Sequence, residues 1–123
     1  MAGDLGKGIV AVVIGVTDLE RSIAFYRDTL GLALQFRSEG LAFFAAGQVS
    51  LLLNRDAARI RQPVAGAIEV VFGVENVKAA WQGLVAKGIT VFREPRQATE
   101  REWSAILTDP DGHLLSVFGP PGD

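Results

Sequence analysis

The sequence contains no cysteine. Disulfides, thiolate nucleophiles and cysteine-ligated zinc or iron–sulfur centres are therefore excluded, and the chain suits a reducing compartment. Histidine is nearly absent as well. His113 is the single imidazole, so a histidine-rich metal centre has no ligands within one chain. An excess of one charge sign is also missing. Twelve basic residues stand against 14 acidic ones: six of each in residues 1–60, and six basic against eight acidic in residues 61–123. That balance provides no basic face to neutralise phosphates, so nucleic acid is not an expected partner. No apolar run approaches the roughly 18 residues of a membrane span. The first eight residues hold Asp4 and three glycines in place of the basic and apolar regions of a signal peptide. No membrane partner and a cytoplasmic location are expected. G-x-x-x-x-G-K-[ST], G-x-S-x-G and H-E-x-x-H do not occur.

What is present is the material of one globular domain: 123 residues, 49% hydrophobic and 21% charged. The β-branched run Ile9–Ile14, closed by Gly15, predicts a buried strand. Thr17-Asp18-Leu19-Glu20 reads as a capping box. Leu19, Ile23, Tyr26 and Leu30 follow as one helical stripe, and Gly31 is placed to end the helix. Leu32, Leu34 and Phe36 alternate with Ala33, Gln35 and Arg37, which predicts a two-faced strand. Strands are expected at Leu41–Ala45 and Val49–Leu53. Residues 54–66 are polar, with a linker expected over 55–66. The pattern then restarts. Ala67–Gly73 predicts a strand, and Asn76 caps a helix carrying Val77, Trp81 and Leu84 up to Gly88. A strand holds Ile89 and Val91, a charged loop runs from Glu94 to Glu102, and two strands, Trp103–Thr108 and Leu114–Phe118, flank the turn Asp109-Pro110-Asp111-Gly112.

The order is βαβββ twice, with Val16 matching Val74 and Leu19 matching Val77 at a constant offset of 58. Each half is too small to bury a good core alone, so an internal duplication within one domain is expected. A single helix over four strands leaves one sheet face bare, and such a face must curl, dimerise or bind something. Ala11, Gln35, Arg37, Ser50, Glu69 and Ser116 are predicted on it. Phe36 is expected to face the helix, with Trp81 in the core.

The stretches TDLERSIAFYRDTLGL, GVENVKAAWQGLVAKGITV and DPDGHLLSVFGP resemble the vicinal oxygen chelate superfamily, which includes glyoxalase I, extradiol dioxygenases, fosfomycin-resistance enzymes and bleomycin-resistance binding proteins. The resemblance covers residues 8–119. It implies an α+β fold, with modules 8–54 and 67–119 forming a curled mixed β-sheet cup, and a homodimer. In metal-dependent members the ligand columns lie on the first and last strands of each module. Here they carry Ala11, Ser50, Glu69 and Ser116, where only Glu69 ligates strongly. The resemblance therefore implies no metal and no cofactor. His113 reads as a turn residue rather than a ligand.

Glu69 alternates with Ala67 and Val71 and is expected to point into the cup. It reads either as a partly buried carboxylate acting as general base or ligand acceptor, or as a carboxylate paired with Arg37 or a cup water. Phe92, Trp103 and one of Phe43 or Phe44 read as walls for a planar or apolar ligand, or as ordinary packing. Arg55, Arg59 and Arg61 read as an acidic-substrate cluster or as a solvated linker. The expected function is metal-independent binding of an apolar or aromatic small molecule, such as an antibiotic to be sequestered. Gln35, Arg37, Phe43, Ser50, Leu52, Glu69, Phe92, Trp103 and Ser116 would hold it. The alternative is a lyase, isomerase or dioxygenase-like enzyme that uses Glu69 as metal ligand or base.

Overall fold

The computed structural model describes residues 9, 11–55 and 68–122. Two compact units, Met1–Gln62 and Pro63–Asp123, divide the chain. Each unit holds one βαβββ module with its own four-stranded sheet, mixed in direction and open at both edges.

In the first unit, β1 (Ala11–Gly15) pairs in parallel with β4 (Val49–Asn54), which pairs antiparallel with β3 (Leu41–Ala46). That strand pairs antiparallel with β2 (Ala33–Arg37). The crossover from β1 begins with α1 (Leu19–Ala24). Its cap is Asp18, whose carboxylate accepts the Arg21 amide at 3.1 Å. The capping residue is thus one position later than the box predicted from Thr17, and Asp18 satisfies an otherwise orphaned donor. After α1 the chain widens into a π-helical turn, Phe25–Thr29, and Gly31 stops it at φ +76°. Leu19, Ile23 and Tyr26 are buried as the helical stripe predicts. They pack beside Val16, Ala42, Phe44, Leu51 and Leu53 in the core, with the Tyr26 ring 6.1 Å from Phe44. The π turn inserts an extra residue per turn, and Leu30, the next predicted stripe position, is only half-buried.

The second unit repeats the scheme. β5 (Glu69–Gly73) pairs in parallel with β8 (Leu114–Gly119), which pairs antiparallel with β7 (Trp103–Thr108). That strand pairs antiparallel with β6 (Thr90–Gln97). Asn76 caps α2 (Val77–Ala86) by accepting the Ala79 amide at 2.9 Å. The carbonyls of Pro120 and Pro121 accept the next orphan donors, Val77 N–H at 2.8 Å and Lys78 N–H at 3.0 Å. The turn before β8 forms as its sequence dictates: Asp109 Oδ1 accepts the amides of Asp111 and His113, and Gly112 takes φ +88°. β6 continues through Gln97, so the loop predicted from Glu94 is a strand for its first four residues. The turn proper begins at Ala98, whose amide donates to Glu102 O at 2.9 Å.

Of the predicted linker only Arg55 falls within the described residues. Arg59, Arg61, Ala67 and the module limits at 8 and 67 lie outside them. Among the described residues no helix is long and apolar enough to cross a membrane.

Candidate functional site

Strand alternation sorts each sheet into a face packed by its helix and a face without one. In the first unit Leu51, Leu53, Ala42 and Phe44 are buried on the helix side. The helix-free face then carries Ala11 and Val13 on β1, Ser50 and Leu52 on β4, and Phe43 and Ala45 on β3, with Ala11 opposite Ser50 and Val13 opposite Leu52. This face is mostly hydrocarbon, and Val13 stays 53% exposed on it.

On β2 the simple alternation fails. Leu34 pairs with Phe44, but Phe36 pairs with Phe43 and Arg37 with Ala42, so one extra residue, Gln35, is bulged out. Every side chain beyond the bulge changes face. Phe36, predicted to face the helix, lies instead beside Phe43 on the helix-free face. The rings meet edge to face at 5.9 Å, and Phe36 is 55% exposed. Arg37, predicted on the bare face, reaches α1 and forms a two-pronged ion pair with Glu20, its Nη1 donating to Oε1 at 2.9 Å. The Arg37 guanidinium holds the Glu20 carboxyl below its ordinary range, and Glu20 holds Arg37 above its own. The alternative partner named for Glu69 is therefore engaged elsewhere. Gln35, at the bulge, is exposed.

The helix-free face of the second unit reads as three rows across the sheet. Thr90, Thr108, Leu114 and Glu69 form one; Arg93, Ile106, Ser116 and Val71 the next; Arg96, Ser104 and Phe118 the third. Glu69 is on this face as predicted, but it is exposed rather than partly buried. Ser116 is on the face and buried. Phe92 is the bulged residue between Val91 and Arg93 and is 59% exposed. Trp103, predicted as a ligand wall, pairs with Gln97, and Lys78 of α2 lies over its ring at 5.1 Å. The side chain is thus held from the helix side, and this corrects the prediction.

Alternation also conceals Arg93. The Phe92 bulge turns it onto the helix-free face opposite Ile106. Its Nη1 donates to the carbonyls of Ser104 (3.2 Å) and Glu94 (3.3 Å), and its Nη2 donates to Ser104 Oγ at 2.6 Å. Burial lowers its affinity for its proton, Arg96 adds to the effect, and Glu69 opposes it. The Arg93 guanidinium nevertheless stays charged. The two bulges, Leu34/Phe36 and Val91/Arg93, stand at matching places in the second strand of each repeat.

The donors at the four ligand columns are a methyl group, two hydroxyls and one carboxylate. The repeat itself moves one of them. Gly15 opposes Asn54 and Gly73 opposes Phe118, so the first-unit counterpart of Ser116 is Leu52, not Ser50. Leucine is a poorer donor still, and this set does not fit a divalent ion that needs about three good ligands. Among the described residues there is no group of three or more His, Cys, Asp or Glu placed to hold a metal.

The family model described as Glyoxalase/Bleomycin resistance protein/Dioxygenase superfamily matches residues 8–117. Metallothiol transferase FosB of Staphylococcus haemolyticus is 30% identical over 114 residues, covering 90% of this chain and 82% of that protein. The fold is similar to a glyoxalase-related enzyme from Fulvimarina pelagi (TM-score 0.78, 22% identity, 94% of this chain and 89% of that one). It is similar also to TnmS3, an antibiotic binding protein from Streptomyces sp. CB03234 (TM-score 0.77, 23% identity, 91% and 92%).

Proposed function

The chain belongs to the Glyoxalase/Bleomycin resistance protein/Dioxygenase superfamily, and from that premise we propose that it captures a small organic molecule without a metal and without turnover. The observation that carries this reading is the pairing of exposed apolar side chains with a depleted donor set. Val13 and Phe36 in one unit, and Val71 and Phe92 in the other, are each more than half exposed, while Ala11 and Ser50 in the first unit and Ser116 in the second are not strong ligands. Exposed apolar surface of this kind marks a place where something is bound. In this reading the helix-free face of the first unit offers Phe36, Phe43 and Leu52 as wall and Ser50 as a hydrogen-bonding group, and that of the second unit offers Val71 and Phe92 as wall and Glu69 as a hydrogen-bonding group. The antibiotic-binding activity in the name of TnmS3 makes antibiotics the first ligand class to try. The working form in this proposal is a cytoplasmic homodimer, which sedimentation velocity checks.

A thermal-shift panel of planar and apolar antibiotics tests the proposal. A ligand at about 100 times its Kd stabilises a protein by ~2.7 kcal/mol, a rise of several degrees for a chain of this size. At least one compound is expected to give that rise, to be recovered chemically unchanged, and to lose its effect in Phe36→Asp or Val71→Asp. Consumption of the bound compound would replace capture with catalysis. The transferase relative favours that second reading, in which Glu69 serves as metal ligand or, in a metal-free version, as base. Turnover in EDTA, abolished by Glu69→Gln, is the signature of the metal-free version.

A further inference from the structure

We infer that Arg93 is an oxyanion anchor, and that the helix-free face of the second unit takes an organic molecule with one carboxylate and an apolar body. The inference rests on the capture reading above and names the chemistry of its ligand. It begins from how Arg93 is held. A guanidinium offers five N–H groups in a planar fork. Ser104 takes one from each terminal nitrogen, through its carbonyl and its hydroxyl, and the Glu94 carbonyl takes a second from Nη1. The N–H of Nε and the remaining N–H of Nη2 are left. They lie side by side on one edge of the plane, which is the edge a carboxylate grips with both oxygens. All three partners that fix the group are neutral. Among the described residues Arg93 forms no ion pair. Burial and the adjacent Arg96 both disfavour its charge, and Glu69 offsets them only in part. A half-buried cation that is oriented, without an ion-pair partner and beside a like charge gains more from an anion than a solvated surface arginine does.

The neighbours define the rest of the molecule. Ile106 and Val71 share the row with Arg93, and Phe92 precedes it in the bulge. They offer hydrocarbon to whatever the carboxylate is attached to. Glu69 lies on the same face, one row away, and repels a second negative group at the far end. A monoanion with an aromatic or aliphatic body matches all of these groups. A cation does not.

2-Naphthoate and its uncharged isostere 2-naphthamide serve as probes on the intact chain, by calorimetry and by ¹⁵N-resolved NMR of arginine Nε–H. Naphthoate is expected to bind roughly tenfold or more tighter than naphthamide, as a two-pronged charge-assisted contact should, and to move the Arg93 Nε–H resonance. Arg93→Gln erases the preference, weakening naphthoate far more than naphthamide. Arg93→Lys restores only part of it, because the ammonium has no fork. Ser104→Ala frees the fork and weakens naphthoate selectively, which keeps the test informative if Arg93→Gln folds poorly. Equal binding of the two probes overturns the inference and leaves capture standing. An unmoved Nε–H resonance on naphthoate binding overturns it also. Binding of neither probe overturns it too, with the antibiotic panel deciding separately whether the capture reading falls.

Discussion

The Arg37 guanidinium and the Glu20 carboxylate meet with both prongs engaged, and their titration gives this contact a pH signature. The hydrogen bond from Arg37 is the main cause of the lowered Glu20 pKa, with burial acting in the other direction. A carboxylate whose pKa is lower in the folded chain than in the unfolded one binds fewer protons when folded. Its stabilising effect is therefore complete above the ordinary glutamate range, and it fades as pH falls through that range to the lower folded value. Arg37→Gln should lower the melting temperature at pH 7 and change it little near pH 2. The difference should shrink in high salt, because the pair is exposed and screened. Melts at the two pH values check this, and an equal loss at both would assign the role of Arg37 to packing of its stem. The same residue shows what a sequence can hide. Arginine at alternate position 37 reads as facing away from the helix, and only the extra residue at Gln35 reverses it. Nothing in Leu34-Gln35-Phe36 announces a bulge, since no glycine marks it. The matching bulge at Phe92 conceals Arg93 in the same way, so the two arginines exchange the faces that alternation gives them.

The elements themselves were legible because each carries local punctuation. Gly31 and Gly88 end the helices at positive φ, Asn76 caps α2, and the Asp-Pro-Asp-Gly turn closes through its own Asp109 side chain. Two glycines show how differently the same residue is used. Gly83, inside α2, has nothing within 4 Å of the place a Cβ would occupy. Gly119, the last residue of β8, is buried, and an added Cβ there would overlap the Val74 carbonyl oxygen just beyond β5. That close approach follows from the Val74 amide donating to Phe118 O at 2.9 Å. Gly83→Ala should stabilise by about 0.5–1 kcal/mol through helix propensity alone, whereas Gly119→Ala should destabilise by about 1–3 kcal/mol by forcing β5 and β8 apart. Urea midpoints at unchanged slope check both, and a neutral Gly119→Ala would mean that the end of β8 shifts freely. Strand ends were less legible than helix ends. Glu94-Pro95-Arg96-Gln97 is charged and contains proline, yet it extends β6, where edge position tolerates a missing amide donor.

At the scale of the whole chain the duplication is the main constraint, and the sequence displayed it through Val16 and Val74 and through Leu19 and Val77, since core positions cannot drift far in size. The chemistry was less legible, because the helix-free faces carry few core obligations and their residues differ between the repeats. Where the second unit has Glu69 and Ser116, the first has Ala11 and Leu52. To a divalent ion the second unit offers one carboxylate and one hydroxyl at these positions, and the first offers two hydrocarbons. The absence of cysteine and the single histidine leave nothing elsewhere in the sequence to replace them by thiolate or paired imidazoles. Binding that favours the native state must raise its stability by RT ln(1 + [L]/Kd), so metal affinity has a readout that does not depend on guessing a substrate. With zinc, nickel or manganese at 1 mM against EDTA, a functional site with micromolar affinity would add about 4 kcal/mol, a shift of many degrees at this chain length. The donor set described here predicts a shift indistinguishable from that of a Glu69→Ala variant. A large metal-dependent rise in the native sequence that disappears in Glu69→Ala would show that the single carboxylate recruits partners from beyond its own face, and metal-free capture would then give way to metal-assisted chemistry.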